Sequence, residues 1–221
     1  MANDVYTTFR YDYKKPNYFF ERYLKDVGDD MEKVLKRLNA KIEYDEHGYI
    51  TNMGDLVDSK WCEVFENCGE TIQFHSAWCQ PTHLLCAMTA MFGIDGLVIQ
   101  FEDVDYPCLG RVFEKDGFFY GQGYSGEQFD EMMKRLSSMT TDPEWKKRYE
   151  ENTYQEEYWV DRYCFISEVE PTKFKYLDDA LYQTGNKVWN GDDDGPNILD
   201  TYFTETVDTR KWRVFGELLT V

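Results

Sequence analysis

The sequence predicts an α+β protein, in which a ferredoxin-like antiparallel sheet carries helices on one face and is extended by further C-terminal strands and helices. Hydrophobic residues alternate with polar ones in several short segments, which is the period of a half-buried strand. Between these segments they recur every three or four residues, which is the period of an amphipathic helix. The order is strand, helix, strand or hairpin, strand, helix, strand over Asp4–Glu102, as in a ferredoxin-like sandwich.

The first predicted elements are a strand and a helical region. Asp4–Tyr13 alternates without interruption, so it is predicted as the opening strand. Asn17 is a suitable N-cap for the helix that follows, because its side chain can accept a hydrogen bond from a free backbone amide. Hydrophobic residues at helical spacing continue to Leu38, and Gly28 is expected to divide the region into two shorter helices.

A hairpin and an irregular segment are expected next. Lys41–Tyr44 and Tyr49–Thr51 have strand composition on either side of a turn, which predicts a β-hairpin. Asn52–Gly69 shows no clear period and is expected to be irregular, with Trp61 and Phe65 packed against the core.

The central region has the clearest pattern. Thr71–Trp78 alternates as a strand, and Pro81 lies where the first turn of a helix accepts a proline. The alternation returns at Leu97–Phe101, which predicts another strand. Strand-like segments then flank Asp116-Gly117, a dipeptide typical of a two-residue hairpin turn.

The C-terminal part is predicted to be mixed. Gly126–Met139 has helical spacing, Asp142-Pro143-Glu144 is a typical helix start, and Lys173–Gln183 allows a short helix. We expect a core in residues 1–125 and an extension packed on it in residues 126–221, and one continuous domain is equally compatible with the sequence. Strand-like composition occurs in three further segments: Tyr158–Ile166, Asp200–Val207 and Lys211–Leu218.

The chain is strongly acidic, with 42 acidic and 24 basic side chains and a formal charge of −18. The excess is largest in residues 126–221, which contain 21 acidic and 12 basic side chains. Such a field repels phosphate backbones, so we expect no direct nucleic-acid binding. It favours a partner protein with a basic surface, although acidity also serves solubility alone.

Other global features predict a soluble cytoplasmic protein. No apolar run approaches the ~20 residues that a membrane helix needs, and the first residues do not have the form of a signal peptide. The six cysteines are therefore expected to be reduced, and most of them to be small buried hydrophobes. We expect no membrane contact and no cofactor.

Two histidines and two cysteines have a spacing that suggests chemistry: His75, Cys79, His83 and Cys86. Four nitrogen and sulfur ligands would form a closed zinc site, but a cysteine among the leucines of a helix is more simply a core residue. Cys79 precedes the helix and could instead be a thiolate nucleophile with a histidine as its base. Neither hypothesis is preferred, so no catalytic or metal-binding residue is predicted.

Acidic residues in the last third form the predicted partner-binding site. Asp192-Asp193-Asp194 does not match a calcium loop, because the later bidentate glutamate is missing. It is a solvated acidic turn that can contact a basic partner. The residues predicted to bind a partner are Asp192, Asp193, Asp194, Glu150, Glu151, Glu156 and Glu157.

Aromatic residues follow the predicted strands. A ferredoxin-like sheet with exposed aromatic rings can stack single-stranded bases, but such sheets also carry Arg and Lys to hold phosphates. Residues 71–125 contain only Arg111 and Lys115, which favours core packing or a protein interface. The aromatic residues concerned are Tyr6, Phe9, Tyr11, Tyr13, Phe118, Phe119 and Tyr120.

Several short motifs together resemble a known family. They are the start Met1-Ala2-Asn3 before a strand, Trp61-Cys62, the segment Phe74–Pro81 before a helix, and an acidic strand ending toward Gly110. The chain resembles, over residues 3–120, a ferredoxin-like family carried by phages and plasmids that includes the plasmid protein YubB. The central motif keeps Phe74, Ser76, Ala77, Trp78 and Pro81, but has Cys79-Gln80 where Ser-Pro is common.

The resemblance implies an accessory protein of a mobile element, and it implies no catalytic residues. With the charge, it leads us to expect a non-enzymatic phage-type protein that binds a host protein through an acidic, aromatic-rich surface. Inhibition of a nucleic-acid-handling enzyme or a defence component fits this expectation, as nucleic-acid mimicry. The alternatives are a Cys/His-based or metal-assisted enzyme and a virion or assembly component.

Overall fold

The computed structural model describes residues 4–38, 40–48, 50–52, 56–57, 61–77, 79–103, 108–124, 131, 134–135, 137–138, 141–150, 166 and 169–189. Within these residues the chain forms one seven-stranded antiparallel sheet, a separate two-stranded sheet and helices. The elements are β1 (Asp4–Tyr11), α1 (Tyr18–Val27), α2 (Met31–Arg37), β2 (Glu43–Tyr44), β3 (Ile50–Asn52), β4 (Cys62–Asn67), β5 (Thr71–Ala77), α3 (Thr82–Phe92), β6 (Leu97–Asp103), β7 (Cys108–Lys115), β8 (Phe118–Tyr124), α4 (Pro143–Glu150), β9 (Thr172–Phe174) and α5 (Leu177–Trp189).

The strand order of the large sheet is β4-β5-β1-β6-β7-β8-β9, and every neighbouring pair is antiparallel. The first four strands in this order, β4-β5-β1-β6, have the ferredoxin-like arrangement. β1 and β4 are joined through helices with β5 between them, and β5 and β6 are joined through α3 with β1 between them. The predicted fold class is therefore confirmed, and β7, β8 and β9 extend the same sheet.

The two faces of the sheet differ in chemistry. Along β1, Val5, Thr7 and Phe9 are fully buried, whereas Tyr6 and Arg10 on the opposite side are partly exposed. Side chains alternate along a strand, so one face carries the core and the other faces away from it. We call these the inner and outer faces. Buried residues of α1, α2, α3 and α5 belong to the same core cluster as the inner face.

Local signals place the helical elements as predicted. The Asn17 side chain accepts a hydrogen bond from the backbone amide of Phe20 at 3.1 Å and so caps α1. The helix ends before Gly28, and Asp30 caps α2 in the same way. Asn67 on β4 donates to the carbonyl of Leu24, and this bond fixes the end of α1 to the sheet.

The β7–β8 hairpin turns as its sequence predicts. Asp116 and Gly117 have φ angles of 54° and 76°, so both central residues are left-handed, as a two-residue turn of this kind requires. The Glu114 carboxylate accepts hydrogen bonds from the amides of Gly117 and Gly96. It therefore fixes the turn region to the start of β6.

Two predictions for the N-terminal half are wrong. Asn52–Gly69 was expected to be irregular, but Cys62–Asn67 forms the edge strand β4. A register shift between Val64 and Glu66 interrupts its pairing with β5 and masks the alternation. Phe65 was expected in the core, yet its side chain is 54% exposed on the outer face.

The C-terminal part contributes to the same sheet. β9 pairs with β8, and α5 packs on the inner face of β7 and β8. The short helix allowed within Lys173–Gln183 instead begins at Leu177 and continues to Trp189. Asp142 begins α4, because its carboxylate accepts the amide of Glu144 at 2.8 Å. Most of Gly126–Met139 and Tyr158–Ile166, and the segments Asp200–Val207 and Lys211–Leu218, lie outside the described residues.

No helix in the described part of the chain is both long enough and apolar enough to span a membrane.

The contact between α5 and β8 gives a stability prediction. A Cβ atom at Gly121 would lie 2.0 Å from Thr184 Oγ1, so Gly121→Ala should lower the free energy of unfolding by about 1–3 kcal/mol through overpacking. In a Thr184→Ala background the obstructing hydroxyl is gone, and the same substitution should cost markedly less. Chemical denaturation of the four proteins in this cycle measures the coupling. Equal costs in the two backgrounds would contradict the packing of α5 on β8.

Candidate binding surfaces

The four Cys and His residues with a metal-like spacing do not form one site. His75 lies on the outer face of β5, where its ring contacts Tyr6. His83 is 6% exposed and lies on α3, on the side of the sheet that holds the core. Within the described residues, no group of three or more His, Cys, Asp or Glu side chains could hold a metal ion.

The surroundings of His75 favour a structural role. Its ring stacks on Tyr6 with centroids 4.5 Å apart, and Trp61 contacts it edge-on at 4.5 Å. Its Nδ1 lies 3.2 Å from the Glu63 carboxylate and its Nε2 lies 3.2 Å from that of Asp4. The two carboxylates belong to β4 and β1, so His75 on β5 links three strands at this edge of the sheet.

The motif that carries the family resemblance is a structural joint between β5 and α3. Ser76 Oγ donates to the carbonyl of Cys79 at 2.8 Å and lies 3.4 Å from that of Val5, as expected for a serine at a strand end. Pro81 is the N-terminal cap residue of α3, and Trp78 lies outside the described residues. The buried members of the motif are Phe74, Ser76, Ala77 and Pro81.

The connection between β1 and α1, together with the first turn of α1, exposes three aromatic side chains. Tyr13 is 80% exposed, Tyr18 74% and Phe19 82%. Asn17 holds the connection in place, because its Nδ2 donates to the carbonyl of Phe92 at 2.8 Å. We call Tyr13, Tyr18 and Phe19 the aromatic loop. It is a fixed group of exposed rings rather than part of the core.

The predicted acidic site is mostly outside the described part of the chain. Asp192–Asp194, Glu151, Glu156 and Glu157 lie there, and Glu150 is the last residue of α4. Their role as partner-binding residues therefore stays a prediction.

Carboxylates on α1 and α2 are neutralised locally. Asp26 pairs with Arg37 at 2.5 Å, and Glu32 pairs with Lys36 one turn away. The Glu32 pKa is lowered by hydrogen bonds, first from Lys36 and then from Tyr44. These helices therefore add little to the negative field of the molecule.

The outer face contains a group that the sequence analysis did not find. In the sheet register, Arg10 on β1 lies opposite Val98, which lies opposite Phe113, then Tyr120, then Lys173 on β9. Arg111 lies two residues before Phe113 and therefore points to the same face. We call the following set the basic–aromatic patch: Arg10, Arg111, Phe113, Tyr120 and Lys173.

The patch contains one stacked pair of rings, and two of its three cations lie over aromatic rings. The rings of Phe113 and Tyr120 stack with centroids 5.7 Å apart and an interplanar angle of 19°. The Arg111 guanidinium lies over the Phe113 ring at 5.1 Å, and Lys173 Nζ lies 3.5 Å from the centroid of the Phe118 ring. Cations held over aromatic faces stay exposed on one side.

Arg111 is the most constrained member. One of its terminal nitrogens donates to Gln122, whose amide in turn donates to the carbonyl of Val169. Its Nε atom is buried, and no described group accepts a hydrogen bond from it. Burial lowers the Arg111 pKa, and the charge of Arg10 lowers it further. The two guanidinium groups therefore repel each other on this face.

A comparison of the chain with family models, curated proteins and solved structures found no match. The resemblance in the central motif is thus carried by those residues alone. The function proposed below therefore rests on the exposed surfaces of the chain itself.

The structural role of the motif is tested by Ser76→Ala. The substitution removes a buried hydroxyl that donates to the carbonyl of Cys79 within the joint and lies 3.4 Å from that of Val5 on β1, so it should lower the free energy of unfolding by about 1–2 kcal/mol. Urea denaturation measures the change. Ser138→Ala is the matched control, because that exposed hydroxyl also bonds a carbonyl and should change stability by less than about 0.5 kcal/mol. Equal effects at the two serines would contradict the assignment.

Proposed function

We propose that this protein is a non-enzymatic accessory protein of phage type that binds a host protein through an acidic, aromatic-rich surface. The observation that carries the proposal is the aromatic loop, in which three rings just before α1 and in its first turn are each more than 70% exposed. Exposed aromatic groups of this kind are typical anchors of protein interfaces, because they bury a large apolar area at a small cost in side-chain entropy.

The charge of the chain indicates the class of partner. A net charge of −18 attracts basic protein surfaces and speeds their association. Carboxylates of α1 and α2 form ion pairs with neighbouring basic side chains. The carboxylates that carry the net negative charge are therefore expected elsewhere, including the acid-rich residues 126–221. A nucleic-acid-handling enzyme or defence component fits, since its DNA- or RNA-binding surface is basic. The motif resemblance supports a mobile-element context.

The aromatic loop gives the first test. A Tyr13→Ser, Tyr18→Ser, Phe19→Ser triple variant should keep its stability, because exposed side chains contribute little to it. It should lose partner binding by at least about tenfold, since anchor residues cost more than ~1 kcal/mol each when truncated. Quantitative affinity purification from host cells, followed by binding measurements with the purified partner, gives the ratio.

Phe65→Ser is the matched control, because Phe65 is also an exposed aromatic residue but lies on the outer face. It should recover the partner as the unmodified chain does. If the triple variant recovers the same partner in the same amount, the aromatic loop is not its binding surface.

The acidic residues give a second test. Replacing Asp192, Asp193 and Asp194 by Lys should slow association with the partner about tenfold at low salt, and the effect should shrink as salt screens the charges. Stopped-flow association rates over a salt series measure it. Asp30→Asn is the control, because Asn caps a helix as well as Asp does and Asp30 is already paired with Lys33. Rates that depend neither on salt nor on the substitutions would refute the acidic contact.

A further inference from the structure

The basic–aromatic patch is a local exception to the charge of the chain. Two consecutive rows of outer-face residues cross the sheet, the first from β5 to β9 and the second from β5 to β8, and they contain three cations and no carboxylate. The first row is Thr71, Arg10, Val98, Phe113, Tyr120 and Lys173, and the second is Gln73, Thr8, Gln100, Arg111 and Gln122. In a chain of charge −18, such a grouping needs a reason.

Packing alone does not supply one. Arg10, Arg111 and Lys173 form no ion pair with any described residue, although 24 basic side chains have 42 acidic ones available. The buried Nε of Arg111 has no acceptor within the described residues. The charges of Arg10 and Arg111 also oppose each other. An anion between the two guanidinium groups would remove the repulsion.

The neighbouring rings specify what kind of anion fits. Phe113 and Tyr120 form a stacked pair on the same face, and both are partly exposed. Arg111 lies over the Phe113 ring, and Arg10 lies in the same row on the other side of Val98. Aromatic rings on an open antiparallel sheet, with cations next to them, stack bases and hold phosphates of single strands. A carboxylate ligand would use the arginines but not the ring pair, and a duplex would hide the faces of its bases.

We propose that the basic–aromatic patch binds single-stranded nucleic acid, with a phosphate between Arg10 and Arg111, a base on the Phe113–Tyr120 pair and a second phosphate at Lys173. The row from Arg10 to Lys173 crosses five strands and is roughly 19 Å long at ~4.8 Å per strand. That length suits a short segment of a few nucleotides. The amides of Gln73 and Gln100 lie in the adjoining row and face the bases.

The net charge does not prevent this contact. At physiological ionic strength the Debye length is about 8 Å, so carboxylates on the helical side of the sheet are largely screened at the patch, as are those of Asp4 and Glu63 beside His75 on the outer face. Glu102 lies next to the second row on the same face, and it is 2% exposed. These carboxylates slow the approach of a polyanion, but the contact itself is decided by the charges of the patch. Binding is therefore expected to be weak, and stronger at low salt. It is independent of the proposed protein partner, since the aromatic loop is a different surface.

The experiment measures binding of the full chain to fluorescein-labelled oligo(dT) and oligo(U) of eight nucleotides, by fluorescence anisotropy over a salt series starting at about 50 mM. Arg10→Gln should weaken binding by roughly tenfold and make the slope of log K against log salt shallower by about 0.7, which is the value for one lost phosphate contact. Tyr120→Leu should also weaken binding by roughly tenfold, but should leave the slope unchanged, because stacking releases no counterions.

Arg22→Gln on α1 is the charge-matched control, and Phe19→Ser separates this surface from the aromatic loop. Both should bind oligonucleotides as the unmodified chain does. Circular dichroism and the unfolding midpoint confirm that each variant is folded, and Arg10 and Tyr120 are tested separately so that one failure does not end the experiment. A labelled blunt duplex and unlabelled polyphosphate serve as competitors.

Several outcomes would overturn the proposal. They are no oligonucleotide binding at the lowest salt, equal losses in Arg10→Gln and Arg22→Gln, unchanged affinity in Tyr120→Leu, and competition by duplex or polyphosphate as strong as by single strands. A preference for oligo(U) or oligo(dT) would show which of these two polymers the site favours, and either preference supports the site.

Discussion

Helices α1, α2, α3 and α5 pack on one face of the antiparallel sheet, and this one-sided packing gives the two faces different chemistry. Alternation along β1 sends Val5 and Phe9 into the core and Tyr6 and Arg10 to the other side. Because the same register continues through β6, β7, β8 and β9, every strand divides its side chains between the two faces. The inner face is filled by helices and provides stability. Arg10, Phe113 and Tyr120 stay partly exposed on the outer face and are available for recognition. The outer face is not open throughout, because Leu109 and Gln122 are only 1% and 4% exposed.

The parts of the fold that the sequence predicts well are those fixed by local physics. Strand alternation in β1, the Asn17 cap and the Asp116-Gly117 turn each depend on a few adjacent residues. The predictions that failed concern elements whose structure depends on tertiary contacts. The edge strand β4 was missed because a bulge interrupts its alternation. Helix α5 continues past Gly185, although a glycine often ends a helix. A glycine fits this position because its backbone packs against Gln80: a Cβ atom at Gly185 would lie 2.6 Å from the side-chain nitrogen of Gln80.

The candidate site was less predictable for the same reason. The aromatic strands suggested base stacking, but the count of cations in residues 71–125 argued against it. The missing cations come from outside that range, since β1 supplies Arg10 and β9 supplies Lys173. Conversely, the Cys and His residues that are close in sequence are divided between β5 and α3. Proximity along the chain was therefore a poor guide to both groups, and the order of strands in the sheet decided which side chains meet.

Solvent accessibility at two neighbouring residues of β8 tests whether the two faces of the sheet have separate tasks. The measurement is NMR relaxation of the Phe119 and Tyr120 rings in the presence of a soluble paramagnetic probe. If only the inner face is covered, the Tyr120 ring signals should broaden strongly and those of Phe119, which is 3% exposed, should change little. Equal protection of both rings would show that the outer face is covered like the inner one, and would contradict a recognition surface there.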